Sequence, residues 1–261
     1  MKYAAALLSL SLLAVPALAG APPSKPVRII LVGDSTMATR SGYGDALCAR
    51  FKPDVSCVNL ARGGRSSGSF RAEGRWDEVQ ALLKDGAAFS ASYVLIQFGH
   101  NDQPGKPGRS TDLVTQFPAN IERYVDETSA LGGVPVLVTP LTRRSFKGDY
   151  LKDDLAPWAA ATRRVALKRK AALVDLNAIS AAAVQQMGQD EADTLAQAPR
   201  PVNYGAPPAP GGSEVQGAPK TAFDRTHLGA KGAAVFSNMV AVELVRLFPS
   251  MKGQFTAPPG P

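Results

Sequence analysis

The chain has only two histidines and two cysteines among 261 residues. Neither pair has the short ligand spacing by which Cys and His hold zinc, so no metal site is expected. No organic cofactor is expected either. Any histidine chemistry must run through His100 or His227. The aromatic share of 7% is ordinary for a globular protein, but the basic stretch Arg62, Arg65, Arg71, Arg75 lacks the interleaved aromatics on which bases stack. Nucleic acid is therefore not an expected partner. No apolar run reaches the roughly 20 residues of a membrane span, and no internal repeat is present.

The longest apolar run, Ala4 to Val15, follows Lys2 and precedes Pro16 and the small-x-small triplet Ala17-Leu18-Ala19. That order is the pattern of a secretory signal. Residues 1–19 are read as a removable signal, giving a periplasmic or secreted protein without a stable membrane anchor. Gly20, not a cysteine, follows the cleavage point, which disfavours a lipoprotein. Residues 20–261 are read as one domain, large enough for a full core. In an oxidising compartment Cys48 and Cys57 could form a disulfide; two buried thiols are the alternative.

Lys and Arg number 29 against 22 Asp and Glu, a formal charge of +7. A modest positive field suits an anionic polymer. Short Val, Ile and Leu runs at Val27–Val32, Val55–Leu60, Tyr93–Phe98, Val134–Val138 and Ala172–Leu176 read as strands buried on both faces. Helical patterns lie between them, with apolar stripes at Leu113, Phe117, Ile121, Tyr124 and at Phe236, Val240, Leu244, Leu247. Alternation of this kind predicts an α/β protein, a mainly parallel five-stranded sheet inside a three-layer α/β/α sandwich. Pro199 to Pro219, rich in Pro, Gly and Ala, is read as a long irregular loop, and the tail after Phe255 as disordered.

Ligands of open parallel sheets gather beyond the carboxyl ends of the strands. Gly33-Asp34-Ser35, Asn59 to Ser66 and Gly99-His100-Asn101-Asp102 each follow a predicted strand and share that edge. Ser35, on a tight turn, is the candidate nucleophile, although it lacks the flanking glycines of the G-x-S-x-G elbow. A serine hydroxyl needs a base. His227 suits that task near neutrality, with Asp224 three residues before it to fix the tautomer. A backbone N–H at Gly64 and the side-chain amide of Asn101 could supply an oxyanion hole. Singly, each segment is equally an ordinary turn or a capped helix start.

Together, in this order and spacing, Gly33-Asp34-Ser35, Gly64, Gly99-His100-Asn101-Asp102 and Asp224-Arg225-Thr226-His227 resemble the SGNH (GDSL-type) hydrolases. The resemblance implies their flavodoxin-like fold, with Ser35 as nucleophile, His227 as base and Asp224 as its orienter. The N–H groups of Ser35, Gly64 and the Asn101 amide would form the oxyanion hole, with His100 in support. Gly33-Asp34-Ser35-Thr36-Met37, Gly64-Arg65-Ser66-Ser67, Glu73-Gly74-Arg75-Trp76 and Phe98-Gly99-His100-Asn101-Asp102 look most like rhamnogalacturonan acetylesterases, and Thr139 to Phe146 is similar to a segment of their bacterial members. That likeness implies removal of acetyl groups from an anionic pectic polysaccharide. Acetylated xylan or peptidoglycan, a lipid or thioester, and a non-catalytic polysaccharide or polyanion binder on the same scaffold are the rival readings.

Overall fold

In this computed structural model residues 25–202 and 223–260 are described. The predicted signal, residues 1–19, and positions 203–219 of the predicted loop lie outside them. Five parallel strands form the central sheet: β1 (Val27–Gly33), β2 (Ser56–Asn59), β3 (Ala91–Gln97), β4 (Val134–Val138) and β7 (Ala172–Val174), in the order β2-β1-β3-β4-β7. Ile30 of β1 stands beside Val58 on one side and Val94 on the other, and Leu137 of β4 beside Leu173. A two-stranded antiparallel hairpin, β5 (Phe146–Lys147) and β6 (Tyr150–Leu151), is an addition that the apolar pattern did not signal.

Alternate strand residues serve opposite faces. Ile29, Leu31, Leu95, Val136 and Val138 pack against α1 (Gly44–Cys48), α6 (Leu176–Asp193) and α7 (Ala230–Leu247). Ile30, Val32, Val94, Ile96 and Leu137 pack against α3 (Arg75–Lys84), α4 (Gln116–Ala130) and α5 (Ala156–Arg169). A short α2 (Ser69–Ala72) leads into α3. Each such aliphatic side chain contributes about 1.5–3 kcal/mol when fully buried. The predicted α/β/α sandwich is therefore the observed architecture.

Boundaries move by one to three residues. Leu113 precedes α4, and Leu176 opens α6 instead of closing β7. Cys48 and Cys57 form a disulfide between the end of α1 and β2. One expectation fails. The tail is held: Phe255 stacks on Phe51 at 4.6 Å, Thr256 N donates to the Arg50 carbonyl (2.9 Å), and Asn238 donates to the Gly260 carbonyl (2.8 Å).

Candidate active site

At the end of β1 a Cβ on Gly33 would lie 2.8 Å from the Gln97 carbonyl oxygen, so the close approach of β1 and β3 requires glycine there. Asp34 follows and is wholly buried. Its Oδ1 accepts from the backbone N of Thr36 (2.9 Å) and from the Thr36 hydroxyl (2.8 Å), while its carbonyl accepts from Met37 N and Ala38 N. The chain therefore turns immediately after the strand. Ser35 sits at the crest, 8% exposed. Its carbonyl accepts from the Ser41 hydroxyl (2.8 Å), and its own hydroxyl makes no hydrogen bond among the described residues.

Beneath the turn runs a buried polar chain: Gln97 Nε2 donates to the Thr36 hydroxyl (2.6 Å), and Tyr43 OH donates to Gln97 Oε1 (2.7 Å). His100 Nδ1 lies 3.3 Å from Asp34 Oδ2, both groups enclosed. Burial pushes His100 below its ordinary value. At Asp34 burial pushes upward, but the neighbouring His100 and the Thr36 hydrogen bonds outweigh it and hold the carboxyl low. His100 is thus a buried support under the Ser35 turn, the place the sequence reading gave it.

The ladder continues past β2, with Leu60 N donating to the Leu31 carbonyl and Arg62 N to the Gly33 carbonyl, each at 2.9 Å. This carries the next turn alongside Ser35: a Cβ on Gly63 would stand 3.7 Å from the Ser35 Cβ. Gly64 has φ +78°, a left-handed conformation that glycine adopts without steric cost. Asn101, buried after β3, donates from Nδ2 to the Arg65 carbonyl (3.1 Å) and accepts at Oδ1 from Arg109 (3.3 Å). One Nδ2 hydrogen remains for another acceptor. The adjacent Asp102 accepts from Ser67 N (3.1 Å), the Ser67 hydroxyl (2.6 Å) and the Thr111 hydroxyl (2.9 Å). Burial outweighs these bonds and pushes its carboxyl up to about 6.

His227 Nδ1 stands 2.9 Å from Asp224 Oδ2, and Asp224 Oδ1 accepts the backbone N–H groups of Thr226 and His227, each at 2.7 Å. Burial opposes the charge, yet the His227 ring and these N–H groups hold the Asp224 carboxyl well below the usual carboxylate range. With Nδ1 facing the carboxylate, Nε2 is the ring nitrogen available to a third group. Leu228 N donates to the Ser41 carbonyl (2.9 Å), tying this turn to the loop that carries Ser35.

Arg144, wholly buried, underlies the same turn. Its guanidinium donates to the carbonyls of His227 (2.7 Å), Asp224 (3.2 Å) and Thr226 (3.4 Å), and its backbone N to the Arg225 carbonyl (2.9 Å). Burial lowers its value to about 10, against the opposing charges of Asp224 and Asp193. Arg225 in turn pairs with Asp193 at 2.9 Å.

The structure thus places Ser35, Gly64 and Asn101 on one sheet edge and pairs Asp224 with His227 on a turn bonded to that edge. The sequence reading missed the roles of Asp34, Gln97, Asp102, Arg109 and Arg144. A polar Gln97 closing an apolar strand was the available signal for one of them; main-chain acceptors gave none for Arg144. Trp76 and Trp158 belong to the core. Three of the four clustered arginines are paired: Arg65 and Arg75 with Glu73, at 2.9 and 2.8 Å, and Arg71 with Glu127 at 2.8 Å. Among the described residues no cluster of three or more His, Cys, Asp or Glu is arranged to hold a metal ion.

A parallel α/β sheet with a serine at the crest of its first turn and an Asp–His pair returning to it defines an acyl-transfer class of enzyme. The chain matches the GDSL-like Lipase/Acylhydrolase family over residues 31–235; it belongs to that family and is a carboxylic ester hydrolase. Among proteins of known name it is similar to the rhamnogalacturonan acetylesterase RhgT of Bacillus subtilis, 31% identical over 225 residues, covering 83% of this chain and 89% of that one. In fold it is similar to YxiM of Bacillus subtilis, with TM-score 0.64 and 21% identity; the match covers 86% of this chain and 57% of the other. It is likewise similar in fold to Axe2, an acetylxylan esterase from Geobacillus stearothermophilus, with TM-score 0.56 and 18% identity over 84% of this chain and 92% of that one.

Proposed function

We propose that the protein is an exported carbohydrate O-acetylesterase acting on a pectic polysaccharide, acetylated rhamnogalacturonan. The observation that carries the chemistry is the Asp224–His227 pair, joined through Leu228 and Ser41 to the turn of Ser35. His227 Nε2 takes the Ser35 proton as Oγ attacks the acetyl carbonyl. The oxyanion is received by the backbone N–H groups of Ser35 and Gly64 and by the free Asn101 Nδ2 hydrogen. The imidazolium, steadied by ionised Asp224, protonates the departing sugar oxygen and leaves acetyl-Ser35. His227 then deprotonates water, whose attack releases acetate and restores the serine. No metal or organic group enters these steps.

The similarity to a rhamnogalacturonan acetylesterase over most of both chains supports the pectic substrate, and the charge of +7 suits its galacturonate. The signal pattern and the Cys48–Cys57 disulfide support export to an oxidising compartment. Acetate release from acetylated rhamnogalacturonan, acetylxylan and O-acetylated peptidoglycan, measured side by side, tests the reading. Pectic substrate is expected to be preferred, and Ser35→Ala to lower its turnover at least about 10³-fold. Preference for xylan or peptidoglycan would replace the substrate; turnover that survives the loss of Ser35 would remove the mechanism.

A further inference from the structure

Beside Asn101 lies an open groove of about 630 Å³, between the segment carrying Ser66, Ser69 and Glu73 and the segment carrying Arg109, Ser110 and Asn120. Its size falls in the range of small-ligand sites. The lining mixes hydroxyl and amide side chains with the small apolar Ala72, Pro107 and Ala119 and has no aromatic side chain, a surface that a polyhydroxylated molecule can meet with both its hydroxyls and its C–H faces. Two charged side chains line it. Glu73 is neutralised by ion pairs to Arg65 and Arg75. Arg109 is not: its side chain makes one hydrogen bond, to the neutral Asn101 amide, and among the described residues it has no carboxylate partner. The groove therefore presents a half-buried guanidinium whose charge the protein leaves uncompensated. Guanidinium forks are suited to carboxylates, which they bind bidentately.

We propose that this groove is a glycan subsite for a uronate, with Arg109 as the cation that receives the sugar carboxylate. The glycan part of this assignment rests on the esterase reading above. The same guanidinium holds Asn101 Oδ1, so a uronate bound here lies directly beside the candidate oxyanion donor, next to the acetylated position being cleaved. The subsite thereby names the substrate class for this flank of the site: an acetylated chain that carries a free carboxylate, not a neutral or fully methyl-esterified one.

Binding without turnover separates this proposal from the esterase reading. Trigalacturonate and its methyl ester would be titrated calorimetrically into the full protein and into Arg109→Gln. The acid is expected to bind the unmodified protein at least about tenfold more tightly than the ester, the scale of a charge-assisted hydrogen-bonded pair, and Arg109→Gln to abolish that difference. In the unmodified protein, trigalacturonate should also slow phenylglyoxal modification of Arg109, read by peptide mass mapping, so the test does not depend on the variant folding. Equal binding of acid and ester, discrimination that survives Arg109→Gln, or an unprotected Arg109 would each overturn the subsite. Carboxylate binding through Arg109 with no acetate released from any substrate would leave the subsite standing and remove the esterase reading.

Discussion

A buried guanidinium needs acceptors for its N–H groups, and the two terminal nitrogens of Arg144 find them in the carbonyls of Asp224, Thr226 and His227, while its Nε has no partner among the described residues. These are three of the four residues in the turn that presents the Asp–His pair, so the turn's shape depends on a fork reaching it from 80 to 83 residues away in sequence. Lysine keeps the charge but concentrates it at one point, which cannot bridge carbonyls on both sides of a turn. Arg144→Lys should therefore let His227 shift without touching any substrate-binding group. A displacement of about 1 Å in a reacting group can cost on the order of 10² in rate. The expected result is a fall of that size in kcat on an activated acetate ester, with KM nearly unchanged and the circular dichroism spectrum preserved. A rise in KM at constant kcat would show that Arg144 shapes substrate binding instead of the base.

The loops at the carboxyl edge of the sheet are fastened to one another at Asp102. Ser67 follows β2, Asp102 follows β3 and Thr111 precedes α4, and all three meet at one buried carboxylate. Asn120 and Tyr124 of α4 hold Ser67 from the other side, at 3.0 and 2.8 Å. Because burial raises the folded-state value of Asp102 to about 6, above its unfolded value, the folded protein binds the proton more tightly than the unfolded chain does. The charged form is thus a cost above pH 6, and that cost is relieved as the pH falls through 6. Between pH 7 and 5 the linkage amounts to about 1 kcal/mol of stability gained. Asp224 works in the opposite sense and in a lower window, its contribution being present above the unfolded carboxylate value and lost in stronger acid. Denaturant midpoints at pH 7 and 5 should rise on acidification in the unmodified protein relative to Asp102→Asn. An equal response in both would mean that Asp102 titrates as an exposed acid.

These same elements show which features the sequence made readable. The strands were legible because β1 and β3 are buried on both faces, so that nearly every position is apolar; α4 and α7 were legible from one apolar stripe each. Ser35, Asp224 and His227 stood out because few residue types can do their chemistry and the chain has only two histidines. The hairpin of β5 and β6 was not legible, since two residues per strand carry no periodicity. The ordered tail was missed because Phe255 looks like any terminal aromatic until Phe51 is beside it. Asp102 and Arg144 belong to networks whose partners are backbone groups or hydroxyls far away in sequence, and no local pattern announces those.

At the scale of the whole molecule, one covalent link distinguishes this fold from its own amino-acid pattern. Cys48 and Cys57, nine residues apart, are bonded between the end of α1 and β2, on the edge strand and away from the turn of Ser35. A disulfide acts chiefly on the unfolded chain, by removing conformations that the folded state never uses. For a loop this short the chain-entropy relation gives about 2–3 kcal/mol, a sizeable part of the roughly 5–15 kcal/mol by which domains are stable. Both thiols are part of the apolar layer around α1 and α7, so Ala at both positions would add a packing loss, whereas reduction of the unmodified protein leaves the side chains in place. Comparing denaturant unfolding of oxidised, reduced and Cys48→Ala/Cys57→Ala protein separates the two effects. Reduction should lower stability by about 2–3 kcal/mol through the unfolded state alone, the double variant by somewhat more, and kcat on an activated acetate ester should be the same in the oxidised and reduced forms. A loss of kcat on reduction, with the fold intact, would show instead that the α1–β2 link holds the turn of Ser35 in place.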